Sequence, residues 1–263
     1  MPIRCKTCGR EYDVTLFEFG RTVRCECGET VELSGVRTLE ETGEPTRLIL
    51  VRHGETDWNT QSRVQGHQPT PLNRRGRLQA RLLAERLIRE KPRNLYSSDL
   101  PRAMETAEII GSALGLEPVP APELRELCFG EWEGRTFAEI QQDDSATFAT
   151  FIATDFREAP PGGETSAELR ERIIAFLAKV FDDHPRETTA LVTHGGPCKY
   201  AVAHTLGIHP SSVYRFAIDN ASIHIIEIGP YGWRLTALND TCHLHGPDRQ
   251  EYNAREAAES DAS

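Results

Sequence analysis

An arginine and a histidine stand side by side in Arg52-His53-Gly54-Glu55, directly after the apolar run Leu48-Ile49-Leu50-Val51. Arginine offers phosphate oxygens a fixed, permanently charged fork of donors. A neutral imidazole nitrogen can attack phosphorus, and the covalent intermediate divides one hard displacement into two easier ones. An unperturbed histidine, with a pKa of about 6.5, is largely neutral near pH 7. A carbonyl bonded to its other ring nitrogen would fix the tautomer. A lone Arg-His pair is more often surface decoration, but three further segments follow in order. They are Ser97-Ser98-Asp99-Leu100-Pro101-Arg102-Ala103, then Arg125-Glu126-Leu127-Cys128-Phe129-Gly130-Glu131-Trp132-Glu133-Gly134, then Val192-Thr193-His194-Gly195-Gly196. Arg52 and Arg102 could clamp a transferring phosphoryl group, whose charge is spread over its equatorial oxygens, without a metal. An alkoxide leaving group needs a proton, and the same carboxylate can then activate water. Glu126, Glu131 and Glu133 compete for that role.

These groups need a scaffold that delivers them to one place. A short apolar run ending in turn chemistry reads as a buried strand that opens into a loop. Leu48–Val51 and Ala190-Leu191-Val192-Thr193 both fit, and each hands over a histidine at its carboxyl end. Apolar positions Leu78, Leu82, Leu83, Leu87 and Ile88 mark one helix face. Pro101 suits a helix start, continued by Ala103, Met104, Ala107, Ile110 and Leu114. Leu169, Ile173, Phe176, Leu177 and Val180 mark another helix, and Ile223–Ile228 and Trp233–Leu238 read as late strands. Alternating elements predict an α/β three-layer sandwich, a mostly parallel sheet with helices on both faces. Sites in such folds gather beyond the carboxyl ends of strands.

The ordered motifs resemble the histidine phosphatase superfamily, in its phosphoglycerate-mutase-like branch, over roughly Arg47 to Leu244. The resemblance implies a phosphohistidine on His53, phosphate contacts from Arg52, Arg102, His194, Asn59 and Arg63, and Glu126 as the general acid, leaving Glu131 and Glu133 to a solvated or structural turn. Arg63 reads equally well as a solvated loop arginine. Mutases of the family typically carry Phe-Thr-Gly-Trp, Asn-Glu-Arg-His-Tyr-Gly and His-Gly-Asn. Here Arg63-Val64-Gln65-Gly66, Arg125-Glu126-Leu127-Cys128-Phe129-Gly130 and His194-Gly195-Gly196 stand instead, closer to its monoester phosphatases. The expected activity is therefore hydrolysis of a small phosphorylated metabolite, with no catalytic cofactor. The alternatives are mutase-type phosphoryl transfer and an interaction protein of minor catalytic competence. The segment Phe137–Glu164 is expected to form a helical lid, with Phe148, Phe151 and Phe156 as candidate apolar contacts or core.

Four of the seven cysteines fall in the first 27 residues, Cys5, Cys8, Cys25 and Cys27. This spacing, with no apolar leader, favours metal binding in a reducing compartment over a disulfide framework. Residues 1–34 resemble a zinc ribbon in which four thiolates around Zn²⁺ replace the core so short a module lacks. Val14, Leu16, Phe17, Phe19 and Val23 are its candidate apolar residues. The departure is Cys25-Glu26-Cys27, tighter than the usual gap. Residues 35–46 read as a linker, 47–245 as the catalytic domain and 246–263 as a polar tail. Cys128 and Cys198 read as small hydrophobes, and His243 and His245 as C-terminal structure.

The chain of 263 residues carries a formal net charge of −10, which argues against a nucleic-acid partner. The N-terminal module, with five cations against six carboxylates, balances to −1 and gives no phosphate-tracking surface. Mean hydropathy is −0.47, and no apolar run approaches the ~20 residues that span a bilayer. A cytoplasmic protein is expected. A protein partner, or homo-oligomerisation, through the N-terminal module remains open.

Overall fold

The computed structural model describes residues 3–12, 22–32, 45–154, 157–229 and 232–245. Val14, Leu16, Phe17 and Phe19, most of the expected linker, Phe156 and the expected tail lie outside these residues. Two antiparallel hairpins open the described chain. One pairs β1 (Ile3–Arg4) with β2 (Glu11–Tyr12), the other β3 (Thr22–Arg24) with β4 (Thr30–Glu32).

A six-stranded sheet follows, built from β5 (Thr46–Arg52), β6 (Asn94–Ser97), β7 (Val119–Pro120), β8 (Thr188–Thr193), β9 (Ile223–Gly229) and β10 (Gly232–Asp240), in the order β10-β9-β5-β8-β6-β7. Strands β5, β8, β6 and β7 are parallel neighbours, while β9 and β10 run antiparallel at one side. Thr46, assigned to the linker from sequence, is the first residue of β5 and is buried. Its hydroxyl accepts from Arg186 N–H at 2.8 Å, which ties the strand start to the turn before β8.

The helices are α1 (Asp57–Thr60), α2 (Arg74–Ile88), α3 (Pro101–Leu114), α4 (Phe137–Asp143), α5 (Ser145–Ala153), α6 (Ser166–Asp183) and α7 (Gly195–Thr205). Strand alternation divides the core in two. Ile49 and Val51 join Ala190, Val192, Ile223 and Ile225 against Leu83, Leu87, Ala103, Ala107 and Ile110 of α2 and α3. Leu48 and Leu50 join Leu191 and Ile226 against Leu169, Ile173, Leu177 and Val180 of α6 and Cys198 and Ala201 of α7. The expected sandwich is the observed fold. Ile88, counted on the apolar face of α2, is instead 51% exposed at the helix end, where the turn to Lys91 carries it off the sheet.

Helix ends follow local chemistry. Asn73 caps α2 by accepting from Gly76 N–H. Pro101 occupies the first turn of α3, where its missing N–H costs nothing. Thr136 and Thr165 form capping boxes with Glu139 and Glu168 at α4 and α6. Helices α4 and α5 contribute Ile140 and Phe151 to a small apolar cluster with Val64 and Trp132, with Phe129 and Phe148 beside it. Phe151 is therefore core of this cluster. The pocket below is lined by Phe129 and Phe137 instead.

Candidate active site

The carboxyl ends of β5, β6 and β8 converge. Arg52 ends β5, His53 follows it, Ser98 follows β6 and His194 follows β8. His53 is 2% exposed. Its Nδ1 lies 2.7 Å from the carbonyl of its neighbour Gly54, so Nδ1–H donates there and Nε2 keeps its lone pair. Arg102 Nε–H points at that Nε2 from 3.3 Å. Burial first, then Arg102 and Arg52, holds the His53 pKa well below the ordinary histidine value. The imidazole is neutral near pH 7.

Arg102 is itself buried. Its remaining donors hold the loop after α1, through the carbonyls of Gln68 at 3.0 Å and Gly66 at 2.8 Å. Burial lowers its pKa to about 10, still far above neutrality. Arg52 donates to Ile218 O at 2.6 Å. His194 stacks edge-on to His53 at 5.1 Å between ring centroids, and its Nε2 bonds Ser98 Oγ at 2.8 Å. Burial and then Arg102 hold the His194 pKa well down. Arg52 Nε and His194 Nδ1 are buried polar atoms without a protein partner. Orphaned buried polar atoms are rare and ask for an explanation; two of them beside the guanidinium charges of Arg52 and Arg102 suit the oxygens of a bound oxyanion.

A pocket of about 190 Å³ opens over this cluster, lined by Arg52, His53, Arg102 and Glu126 at the chemistry and by Asn59, Arg63, Phe129 and Phe137 around it. Asn59 Oδ1 is engaged by Thr56 N–H at 3.0 Å and Asn220 Nδ2 at 3.2 Å. Arg63 donates to Gly134 O at 2.7 Å and Glu139 at 3.2 Å, joining the pocket wall to α4. It lines the pocket and holds α4 at once. Of the three carboxylates, Glu126 alone lines the pocket. It accepts from Leu127 N–H at 2.9 Å and, across the site, from Gly196 N–H at 3.1 Å in the first turn of α7. A Cβ at Gly196 would lie 2.3 Å from Glu126 Oε1, so only glycine admits the carboxylate there. Glu133 accepts from His67 N–H and Phe129 N–H and organises the loop, while Glu131 is exposed.

Several supporting residues escaped sequence reasoning. Asn220 donates to the carbonyl of His53 at 3.1 Å. Arg172 on α6 donates to the carbonyls of Glu123, Arg125 and Glu126 at 2.7–2.9 Å and pairs with Glu164. His67 Nε2 meets the Glu126 carbonyl at 2.9 Å. Ser98 sits inside a motif already singled out. For Arg172 the sole hint is a cation next to the apolar stripe of a helix.

Cys198 is buried core and burial pushes its thiol pKa up, which matches an inert role. At the N-terminus, the sulfurs of Cys5, Cys8, Cys25 and Cys27 lie within 4.8 Å of one another. Cys5 and Cys27 approach to 3.7 Å and Cys8 and Cys25 to 3.5 Å. Zn–S bonds of about 2.3 Å in a tetrahedron put sulfurs about 3.8 Å apart, so the four thiols fit that ion. Each hairpin folds its cysteine pair through similar bonds, Gly9 N–H to Cys5 O and Gly28 N–H to Cys25 O, with both glycines at positive φ. His243 and His245 join no metal-capable cluster among the described residues. No helix among those residues is long and apolar enough to cross a membrane.

Comparison with known proteins agrees with this geometry. Residues 48–241 match the profile of the histidine phosphatase superfamily (branch 1). The chain is 34% identical over 198 residues to phosphoserine phosphatase 1 of Hydrogenobacter thermophilus, covering 75% of this chain and 94% of that one. It is 35% identical over 202 residues to phosphoglycerate mutase-like protein 4 of Arabidopsis thaliana, covering 75% and 86%. The solved structure of Bacillus stearothermophilus YhfR superposes with a TM-score of 0.72 at 33% identity, covering 76% of this chain and all of that one.

Proposed function

Because this chain belongs to the histidine phosphatase superfamily, we infer that it is a phosphatase that hydrolyses phosphate monoesters of a small metabolite through a phosphohistidine. One observation carries the reading. The Nε2 lone pair of His53 is presented to a pocket that also holds Arg52, Arg102 and Glu126.

In the first step Nε2 attacks phosphorus, and the bond from phosphorus to the ester oxygen breaks. Arg52, Arg102 and His194 meet the charge on the equatorial oxygens, which is the main catalytic contribution in phosphoryl transfer. Glu126, protonated, gives its proton to the leaving oxygen. In the second step the Glu126 carboxylate takes a proton from water as that water attacks phosphorus. The phosphorus–nitrogen bond breaks, and His53 returns to its neutral form. Asn59 and Arg63 complete the phosphate contacts. No metal is required, because fixed guanidinium charge fills that role. Mutase-type transfer is the second reading, favoured by the mutase names that several relatives carry. The loop, acid segment and His-Gly-Gly run, unlike their mutase counterparts, support hydrolysis.

Residues 1–34 form a zinc-ribbon-like module, with one Zn²⁺ held by Cys5, Cys8, Cys25 and Cys27, followed by a linker to the catalytic domain and a C-terminal tail after residue 245. Cysteines kept as thiolate ligands rather than disulfides fit a cytoplasmic protein.

The test is chemical. Wild type incubated with a ³²P-labelled monoester and quenched during turnover should carry acid-labile, base-stable phosphate, and the H53A variant should carry none and hydrolyse nothing. Label on another residue would overturn the assignment.

A further inference from the structure

The two ring nitrogens of His194 have different surroundings, and the one that carries the proton decides what the ring can give a phosphoryl oxygen. Its Nε2 lies 2.8 Å from Ser98 Oγ, and both side chains are fully buried. Its Nδ1 has no protein partner. Burial and then Arg102 keep the ring neutral, so it holds one proton. Ser98 Oγ has a second neighbour, Leu100 N–H, from which it accepts at 3.3 Å. Among the described residues, the acceptor left for the hydroxyl's own proton is His194 Nε2.

The opposite tautomer leaves two groups unmet. With the proton on Nε2, Ser98 Oγ would accept twice, and its buried O–H would have no acceptor. Nδ1 would then present a bare lone pair at the start of α7, where His194 is the N-cap residue. Its side chain caps no helix N–H. The Gly196 N–H that a lone pair could take goes to Glu126 instead, at 3.1 Å. With the proton on Nδ1, Ser98 O–H donates to Nε2 and Nδ1–H stands free as a donor. Arg52 Nε–H, the other unpaired buried atom of the cluster, is a donor too. Both then ask for the same ligand atom, an anionic oxygen. His194 lies edge-on to His53, 5.1 Å between ring centroids, so a phosphoryl group carried on His53 is its near neighbour.

We propose that Ser98 is a positioning residue that holds His194 as its Nδ1–H tautomer, so that the second histidine donates a hydrogen bond to an equatorial phosphoryl oxygen. This rests on the phosphatase reading of the pocket. In water a neutral histidine favours the proton on Nε2, so the serine works against the ring's own preference. It acts as the partner of a metal-bound histidine does, selecting the nitrogen and fixing the ring.

The experiment must separate this role from the other bond of Ser98, which steadies the start of α3 two residues before Arg102. The His194 ring nitrogens, assigned by their loss in H194A, are observed by long-range ¹H–¹⁵N spectroscopy of the full chain at slightly alkaline pH. Wild type should show a protonated Nδ1 and a bare Nε2, and S98A should move the proton toward Nε2. In S98A kcat/KM for p-nitrophenyl phosphate should fall about 10²-fold, near the cost of one lost donor at a reacting oxyanion. In the H194A background the same substitution should cost less than about threefold, because the donor it positions is already gone. A protonated Nε2 in wild type, a tautomer that S98A leaves unchanged, or S98A turnover equal to wild type overturns the proposal. So does an S98A loss of equal size with and without His194, which would place the effect at Arg102. Failure of wild type to hydrolyse p-nitrophenyl phosphate overturns the phosphatase reading and takes the phosphoryl contact with it; the spectra decide the tautomer in either case.

Discussion

The roles of His53 and Glu126 can be tested one group at a time. The E126Q variant keeps the shape and the backbone bonds of the carboxylate but has no proton to give. Its kcat/KM for alkyl esters should fall about 10²- to 10³-fold, the usual worth of a general acid, and for p-nitrophenyl phosphate less than about tenfold, since an aryl oxide hardly needs the proton. Because kcat/KM reports formation of the phosphoenzyme, a later water-activating role does not blur the comparison. Equal losses on both substrates would move the acid role away from Glu126. His53 has its own signature. Its pKa is depressed by burial, Arg102 and Arg52, so the acid limb of kcat/KM should lie below about 6.5, the ordinary histidine value. Stability follows the same sign. The folded chain holds His53, His194 and His224 neutral, the last with a pKa near about 4. The unfolded chain takes up these protons below about pH 6.5, so stability present above that value is lost as pH falls toward the folded pKa values. Urea midpoints measured from about pH 7.5 down to about pH 5.5 should decline; a rise on acidification would contradict the neutral assignment.

At the level of elements, strands and helices supply positions, and loops are held in place from outside. The acid segment has little regular structure of its own, a short 3₁₀ turn at Pro122–Leu124 and another at Gly130–Trp132. Arg172 on α6 substitutes for a sheet partner by taking three of its carbonyls, and Glu164 closes the clamp through Cys128 N–H. The turn between them needs Gly130, at φ +53°, where a Cβ would lie 2.2 Å from Pro161 O. R172Q removes the fork and leaves Glu164, only 15% exposed at its side chain, without its cation. The expected cost is roughly 2–4 kcal/mol of stability. Its catalytic effect should follow that of E126Q, larger on alkyl than on aryl esters, because Arg172 acts through the position of Glu126. A uniform loss on both would mark Arg172 as structural alone. Arg63 plays the matching part for α4, tying it to the pocket wall.

For the molecule as a whole, an acidic chain of net charge −10 handles a dianionic substrate by concentrating buried arginine at one point. The N-terminal module faces the opposite problem. About thirty residues bury too little apolar surface to hold a fold, and on the proposed reading a thiolate-bound ion supplies the missing free energy. The full chain should contain about one zinc per protein on the four-ligand rule, and a variant lacking residues 1–40 should contain none while remaining soluble and active. Zinc retained after truncation would direct attention to His243 and His245; a full-length protein free of zinc with an ordered N-terminus would refute the ribbon. Turnover should persist in EDTA, since the reaction needs only arginine and histidine at phosphorus. Loss that Mg²⁺ restores would point to a different mechanism.

Much of this was legible in one dimension because it is written in local chemistry. Period-2 and period-3.6 apolar patterns are properties of neighbours along the chain, so the strands through Val51 and Val192 and the helices through Leu83, Ile110 and Leu177 could be read directly. The residues at strand ends, His53 and His194, came with them. Relations across the chain were not legible. No pattern near Glu126 announces Arg172, which reaches it from 46 positions away. Nor does sequence spacing choose Gly54 O as the carbonyl that sets the His53 tautomer, or Gly196 as the contact of Glu126. Spacing alone leaves three carboxylates within eight positions equivalent, and only the family resemblance singled out Glu126; packing put Glu126 in the pocket and turned Glu133 onto loop N–H groups. Phe151 and Phe137 are likewise both apolar in a lid sequence, yet one became core and the other pocket wall. Apolar periodicity specifies which face of an element is buried, whereas hydrogen bonds between distant segments depend on where those faces come to rest.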